Sequence, residues 1–283
     1  LNNTTGGTNV AIGLNTLLSN TTGGTNIAIG GNALQNNTTG GRNVAIGTYA
    51  LVFNTTATEN TAIGVNSLNN NITGEGNTAS GYYALKNNLS GNYNVATGGA
   101  LNNNTTGSYN SAVGTSALSY NITGSNNTAI GHDAGVASGY GALSNTTAIG
   151  NGATVDASNK IRIGNDSVTL ISGRVAWSIL SDIRSKQDIQ GSDLGLDFIN
   201  QLRPVSFQMK NGNGNTDYGF IAQEVEAALG DQKTNIVSTD NTKEKMKSMR
   251  YTDLIAPLVK AVQEQQKEIE VLKLEVETLK KGR

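Results

Sequence analysis

Apolar positions in the first half of the chain follow two superposed periods. Within a short phrase they alternate. In Asn43-Val44-Ala45-Ile46-Gly47, Val44 and Ile46 share one parity and Ala45 and Gly47 the other. Period two is the pattern of a β-strand. The bulky parity is expected to face a core, and the small parity a surface that another coil or chain approaches closely. The phrase itself returns along the chain, with glycines at Gly13, Gly30, Gly47, Gly64, Gly81, Gly98, Gly114, Gly131 and Gly150. The steps are 17 residues five times, then 16, 17 and 19. A fixed short repeat is the mark of a stacked, quasi-one-dimensional fold in which each repeat is one coil.

A second apolar anchor lies four residues after most of these glycines, at Leu17, Leu34, Leu51, Leu68, Leu85 and Leu118. Gly98-Gly99-Ala100-Leu101 is one residue shorter, which explains the 16-residue step. The 19-residue step contains Gly131 to Leu143 and reads as a loop insertion or a decayed coil. Between coils stand turns such as Asn37 to Gly40, Asn71 to Gly74 and Asn88 to Gly91. Asn, Ser and Thr bond nearby backbone there, and Gly accepts unusual φ. These strings contain Asn-x-Ser/Thr sequons, but the repeat favours stacked turns over glycosylation sites. Residues 1–150 are thus expected to form a mainly β repeat rod of the β-roll or β-helix type. Each 17-residue coil has room for two short strands and two turns, and nine coils give a rod of about 40 Å. The core of such a rod is thin, so self-association, most simply as a homotrimer, buries more surface. The sequence opens at Leu1 inside a repeat and reads as part of something longer.

Residues 151–180 read as a β connector in which the repeat fades. Lys160 to Val175 is expected to supply two or three strands, and Trp177 a packing residue. A different period governs the end of the chain. Ile255, Val262, Ile269 and Val276 are seven apart, and Leu258, Gln265, Leu272 and Leu279 follow each by three. These are the a and d positions of a short coiled coil. Gln265 is one polar layer, a register device. Lys280, Lys281 and Arg283 suit the negative end of the helix dipole. β-Branched a with Leu d usually favours two strands, but a trimer is expected here, because the helix is short and the rest of the assembly dictates its number. A helix packed on its own domain is the alternative.

Charge divides the chain the same way. Only Arg42, Glu59, Glu75, Lys86 and Asp133 are charged in residues 1–150; the other 36 of 41 charged side chains follow. The formal net charge of -1 gives no basic footprint for nucleic acid. No apolar run approaches the roughly 20 residues of a bilayer-crossing helix, so membrane insertion is not expected. There is no cysteine and one histidine, His132. A lone histidine is poor evidence for a metal, and no metal or cofactor is expected.

The repeats resemble the head repeats of trimeric surface adhesins and the shaft repeats of phage tail fibres. The segment Ser181-Asp182-Ile183-Arg184-Ser185-Lys186-Gln187-Asp188-Ile189 resembles the opening of the C-terminal intramolecular chaperone of endosialidases and phage tail spikes and fibres. Further family-like phrases follow in order. Leu196 to Leu202 reads as an amphipathic helix, and Arg203 to Phe207 as a strand. Asn211 to Asn215 reads as a turn, Tyr218 to Val225 as a strand-to-helix phrase, and Tyr251 to Leu258 as the entry to a terminal helix. The resemblance spans residues 181–283, an α+β part at 181–250 and a coiled-coil helix at 251–283.

The resemblance implies that this domain aligns three chains and then cuts itself off. The cut falls between Leu180 and Ser181, with Ser181 as nucleophile and Lys186 as base. A serine hydroxyl needs a base, and lysine serves when its surroundings lower its pKa. The only histidine lies in the rod, so a histidine triad within this domain is ruled out. Asp182 and Arg184 read as structural support, an ion pair or turn cap. The implied partners are two further copies of the chain, with a host cell-surface glycan or receptor as a further one. The implied location is a virion tail fibre or spike, or a phage-like particle. A bacterial surface adhesin is the first rival. A glycan depolymerase is the second, although the rod offers only Glu59, Glu75 and Asp133 as carboxylates. A cleavage-released transcription factor is the third.

Overall fold

The computed structural model describes residues 3–175, 177–210, 212 and 214–281. Leu1, Asn211 and Arg283 lie outside the described residues. The chain divides into two compact units, Leu1–Val168 and Thr169–Arg283.

The first unit is a parallel β-solenoid. Its strands are β1 (Val10–Ile12), β2 (Ile27–Ile29), β3 (Val44–Ile46), β4 (Thr61–Ile63), β5 (Thr78–Ser80), β6 (Val95–Thr97), β7 (Ser111–Val113), β8 (Thr128–Ile130), β9 (Gly135–Val136), β10 (Thr147–Ile149), β11 (Thr154–Val155) and β12 (Ile161–Ile163). Ten of them form one parallel sheet in the order β1 to β8, β10, β12. Equivalent residues stack in register: Val44 on Thr61, Ala45 on Ala62, Ile46 on Ile63. Each regular coil carries one three-residue strand rather than the two anticipated. The opposite flank is a run of turns. There the anchor leucines, Leu101 included, sit at φ of 47 to 53°. A left-handed residue costs roughly 1–2 kcal/mol. Burying a leucine contributes roughly 1.5–3 kcal/mol, and all seven anchor leucines are at most 1% exposed, so burial offsets the strain.

The two faces of the strand are the reverse of the sequence expectation. The central alanines, from Ala28 to Ala148, are fully buried, while Val10, Ile12, Ile27, Ile63, Val113 and Ile130 are exposed. The reason is width. A 17-residue coil encloses room for one alanine from the strand and an Ala-Leu pair from the opposite flank, and a β-branched side chain at the strand centre would overfill it. The bulky parity therefore forms an outward stripe. Its third-residue column runs Ile12, Ile29, Ile46, Ile63, Ser80, Thr97, Val113, Ile130, Ile149, Ile163.

Asparagine completes the interior. Asn37 donates to Asn20 Oδ1 of the preceding coil at 2.8 Å and to Gly40 O of its own turn at 2.9 Å. The ladder continues through Asn54, Asn71, Asn88, Asn104 and Asn121. A second ladder uses the asparagine that opens each phrase. Asn26 Oδ1 accepts from Asn43 N at 3.0 Å, and Asn43 Nδ2 donates to Ala57 O at 2.9 Å. Burying an amide without partners costs about 1–3 kcal/mol; here donors and acceptors are matched coil by coil. The turn asparagines Asn20, Asn37, Asn54, Asn71, Asn88, Asn104 and Asn121, each the first residue of a sequon, are these buried rungs, which agrees with stacked turns. The coil spacing also explains Gly47. It has φ of 136°, and a Cβ there would stand 2.5 Å from Gly64 O.

The irregular stretch after Gly131 combines a two-residue strand with a loop of turns over residues 137–143. β9 pairs in parallel with β11, and Ala134 and Val136 fill the core. In the last coil Arg162 takes the alanine position opposite Ala148. Its guanidinium bonds Gly164 O at 3.0 Å and pairs with Asp166. His132 is exposed beside Asp133.

Of the two or three strands expected within Lys160 to Val175, only β12 forms, and residues 167–173 are not strand; Trp177 is 84% exposed. These residues meet no core within their own chain. The second unit's elements are α1 (Leu196–Gln201), β13 (Val205–Phe207), β14 (Asp217–Gly219), α2 (Ala222–Leu229), β15 (Val237–Thr239), β16 (Lys247–Met249) and α3 (Ile255–Lys281). β13–β14 and β15–β16 are antiparallel pairs. Leu194, Phe198, Val225, Leu229, Ile236 and Leu254 form the core. Tyr251 Oη accepts from Phe220 N at 3.2 Å. A Cβ on Gly219 would lie 2.3 Å from that oxygen, which accounts for glycine in the Tyr-Gly-Phe phrase.

Candidate functional site

Residues 181–186 fold into a single tight turn. Asp182 starts it: its Oδ1 accepts from Arg184 N at 2.8 Å and Arg184 Nε at 2.9 Å, and its Oδ2 accepts from Arg184 Nη2 at 2.8 Å. The fork of the guanidinium matches the carboxylate. Bonds from the Arg184 side chain, then from its backbone, hold the Asp182 carboxyl below the usual carboxylate range and raise Arg184. Ile183–Ser185 is a 3-10 turn, closed by Lys186 N on Ile183 O at 3.1 Å. Ser185 Oγ donates to Asp182 O at 2.7 Å.

The turn reverses the chain and returns Lys186 to its start. Lys186 Nζ donates to Ser181 Oγ at 2.8 Å. The two residues assigned chemistry by resemblance are therefore in direct contact, and the two assigned support form the brace between them. Ser181, Lys186 and Leu180 are all exposed in the single chain. Among the described residues, no group of three or more His, Asp or Glu side chains is arranged to hold a metal ion.

The second candidate surface is the helix seam. Helix α3 uses two faces. Leu254 just before it, then Pro257, Ala261 and Glu264, lie against its own unit. Glu264 Oε2 accepts from Leu196 N, the first residue of α1. The heptad face is bare: Ile255, Leu258, Val262, Ile269, Leu272, Val276 and Leu279 are 40 to 73% exposed, and Gln265 lies among them. Packing on its own domain and a free seam thus coexist on one helix. Lys280 and Lys281 fall in its last turn.

Two tertiary pairs escaped the sequence reading. Arg203 forks onto Glu224 across 21 residues, and Glu264 caps α1 across 68. Opposite charges in neighbouring phrases were the only available signal for the first. The second had none, because a backbone N–H leaves no trace in the sequence.

A family model described as the chaperone of endosialidase matches residues 181–234, so the match opens on Ser181 itself. No curated protein and no solved structure matches the chain. A parallel β-solenoid carrying this match fits a tail-fibre-like protein, and the match supports a chaperone role in trimerisation and folding.

Proposed function

We propose that this chain is the distal part of a homotrimeric phage tail fibre or spike, whose C-terminal unit aligns three copies and is then released by cutting the Leu180–Ser181 bond. The observation that carries the cut is the 2.8 Å contact between Lys186 Nζ and Ser181 Oγ.

With the amine neutral, that contact passes the hydroxyl proton from Oγ to Nζ. Oγ attacks the Leu180 carbonyl carbon, the C–N bond to Ser181 breaks, and Lys186 returns the proton to the leaving nitrogen. The Ser181 ester is then hydrolysed by water. The products are a carboxylate on Leu180 and a free amine on Ser181. Lysine works as a base when desolvated, and both groups are exposed in the single chain. Assembly supplies the cover, so the cut follows trimerisation.

The seam of α3 and the outward stripe of the solenoid support the trimer. Each is an apolar surface with a regular repeat, and a parallel copy of the same chain covers each. The kinetic benefit is clear. Non-local β pairing of repetitive chains is slow and exposed to aggregation; a C-terminal seed shortens that phase. Removing the seed afterwards traps the fibre kinetically. The shaft provides reach in a virion and attachment to a host-surface glycan.

Wild type, Ser181→Ala and Lys186→Ala are expressed side by side and read by denaturing gel and mass spectrometry. Wild type gives a fragment beginning at Ser181, and both variants stay whole. A wild-type chain that stays whole after folding removes the proteolysis and leaves the chaperone.

A further inference from the structure

Repetition gives parallel copies of the solenoid a problem of register. Along the third-residue column of the outward stripe neighbouring rungs are nearly equivalent, so copies that meet on that column and are displaced by one rung still match apolar against apolar over most of it. Strand stacking stays in register through both the short coil before β7 and the long coil before β10, so irregularities elsewhere in the coil leave no mark on this face. The stripe carries no charged side chain at its outward positions.

One feature does mark it. The third-residue column is apolar at eight of its ten rungs. The two exceptions, Ser80 and Thr97, are adjacent and paired. Thr78 lies beside Ser80 on the same strand, which makes β5 the one rung of the sheet with two hydroxyls outward. We infer that Ser80 and Thr97 fix the axial register between copies of this chain; the inference rests on the self-association proposed above. In register, hydroxyl meets hydroxyl at both rungs and the bonds are mutual. Displaced by one rung, Ser80 of one copy faces Ile63 and Thr97 of the other faces Val113, so one hydroxyl pair, Thr97 on Ser80, remains and two hydroxyls lose their partners in a desolvated layer. A polar layer inside an apolar seam sets coiled-coil register by the same physics.

The absence of cysteine makes the test clean. Full-length chains carrying Ile29→Cys and Ile46→Cys, with different tags, are co-expressed and oxidised. Copies in register form only like-with-like crosslinks; a one-rung slip forms the mixed product. The comparison is repeated with the helix seam disabled by Ile269→Asp and Leu272→Asp, so that the stripe alone sets alignment. In that background the natural stripe should stay like-with-like. Adding Ser80→Ile and Thr97→Ile should raise the mixed share at least tenfold. A second design moves the polar pair by one rung in the Ile29→Cys chain only, through Ile63→Ser and Thr97→Val, so that assemblies containing both chains match only when slipped, and should raise the mixed share above that of the natural stripe. An unchanged mixed share in both designs overturns the inference, as does a natural stripe that slips or fails to crosslink once the seam is disabled. Failure of any crosslink with the seam intact instead removes the self-association reading.

Discussion

Glu264 Oε2 accepts a hydrogen bond from the backbone N of Leu196 at 2.7 Å, joining α3 to the start of α1. That bond, then Lys260, holds the Glu264 carboxyl below its ordinary value. A depressed carboxylate stabilises the folded state above its unfolded pKa, and the contribution is lost as pH falls through the folded one. The thermal midpoint of the second unit should therefore drop as pH is lowered from about 4.3, the ordinary glutamate value. Glu264→Gln should flatten this part of the profile. A titration followed by circular dichroism that shows equal slopes in both proteins would contradict the assignment.

Asn54 is the second test. It donates to Asn37 Oδ1 at 2.8 Å and to Ala57 O at 3.1 Å, and accepts from Asn71. Asn54→Ala strands two buried partners in adjacent coils, and each stranded group costs about 1–3 kcal/mol. The exposed neighbour Thr56 provides the control: Thr56→Ala should change stability by less than about 0.5 kcal/mol. Urea unfolding of both variants measures the gap. Equal midpoints would mean that the ladder contributes no net stability.

The seam of α3 separates association from folding. Val262→Asp places a charge on the bare heptad face, whereas Ala261→Asp places one on the face buried against α1. Val262→Asp should leave the second unit folded and weaken the trimer, lowering the mean mass of the full chain in dilute light scattering while the stripe still holds copies together at higher concentration. Ala261→Asp should unfold the unit, because a buried unpaired charge is among the costliest substitutions. A trimer that survives Val262→Asp with undiminished mass would show that the seam is not an interface.

The repeat, the turns, the heptad and the order of elements in the C-terminal unit were legible because each is a periodicity or a local phrase. The orientation of the strands was not. Alternation reports that two faces differ and leaves open which is inside. The constancy of alanine at the strand centre, from Ala28 to Ala148, was the stronger clue; its flanks vary among Val, Ile, Thr and Ser. A position that tolerates only one small residue is enclosed. The contact of Ser181 with Lys186 was suggested by resemblance alone, since five residues of separation fix no geometry until the Asp182–Arg184 brace bends the chain.

Arg162 terminates the alanine column at the last rung, while every rung before it touches only its neighbours. Whole coils can therefore be added or lost upstream without disturbing Arg162 or the unit beyond it. The length of the solenoid becomes a quantity that duplication of a 17-residue unit can extend in steps of about 4.8 Å, with the C-terminal unit unchanged.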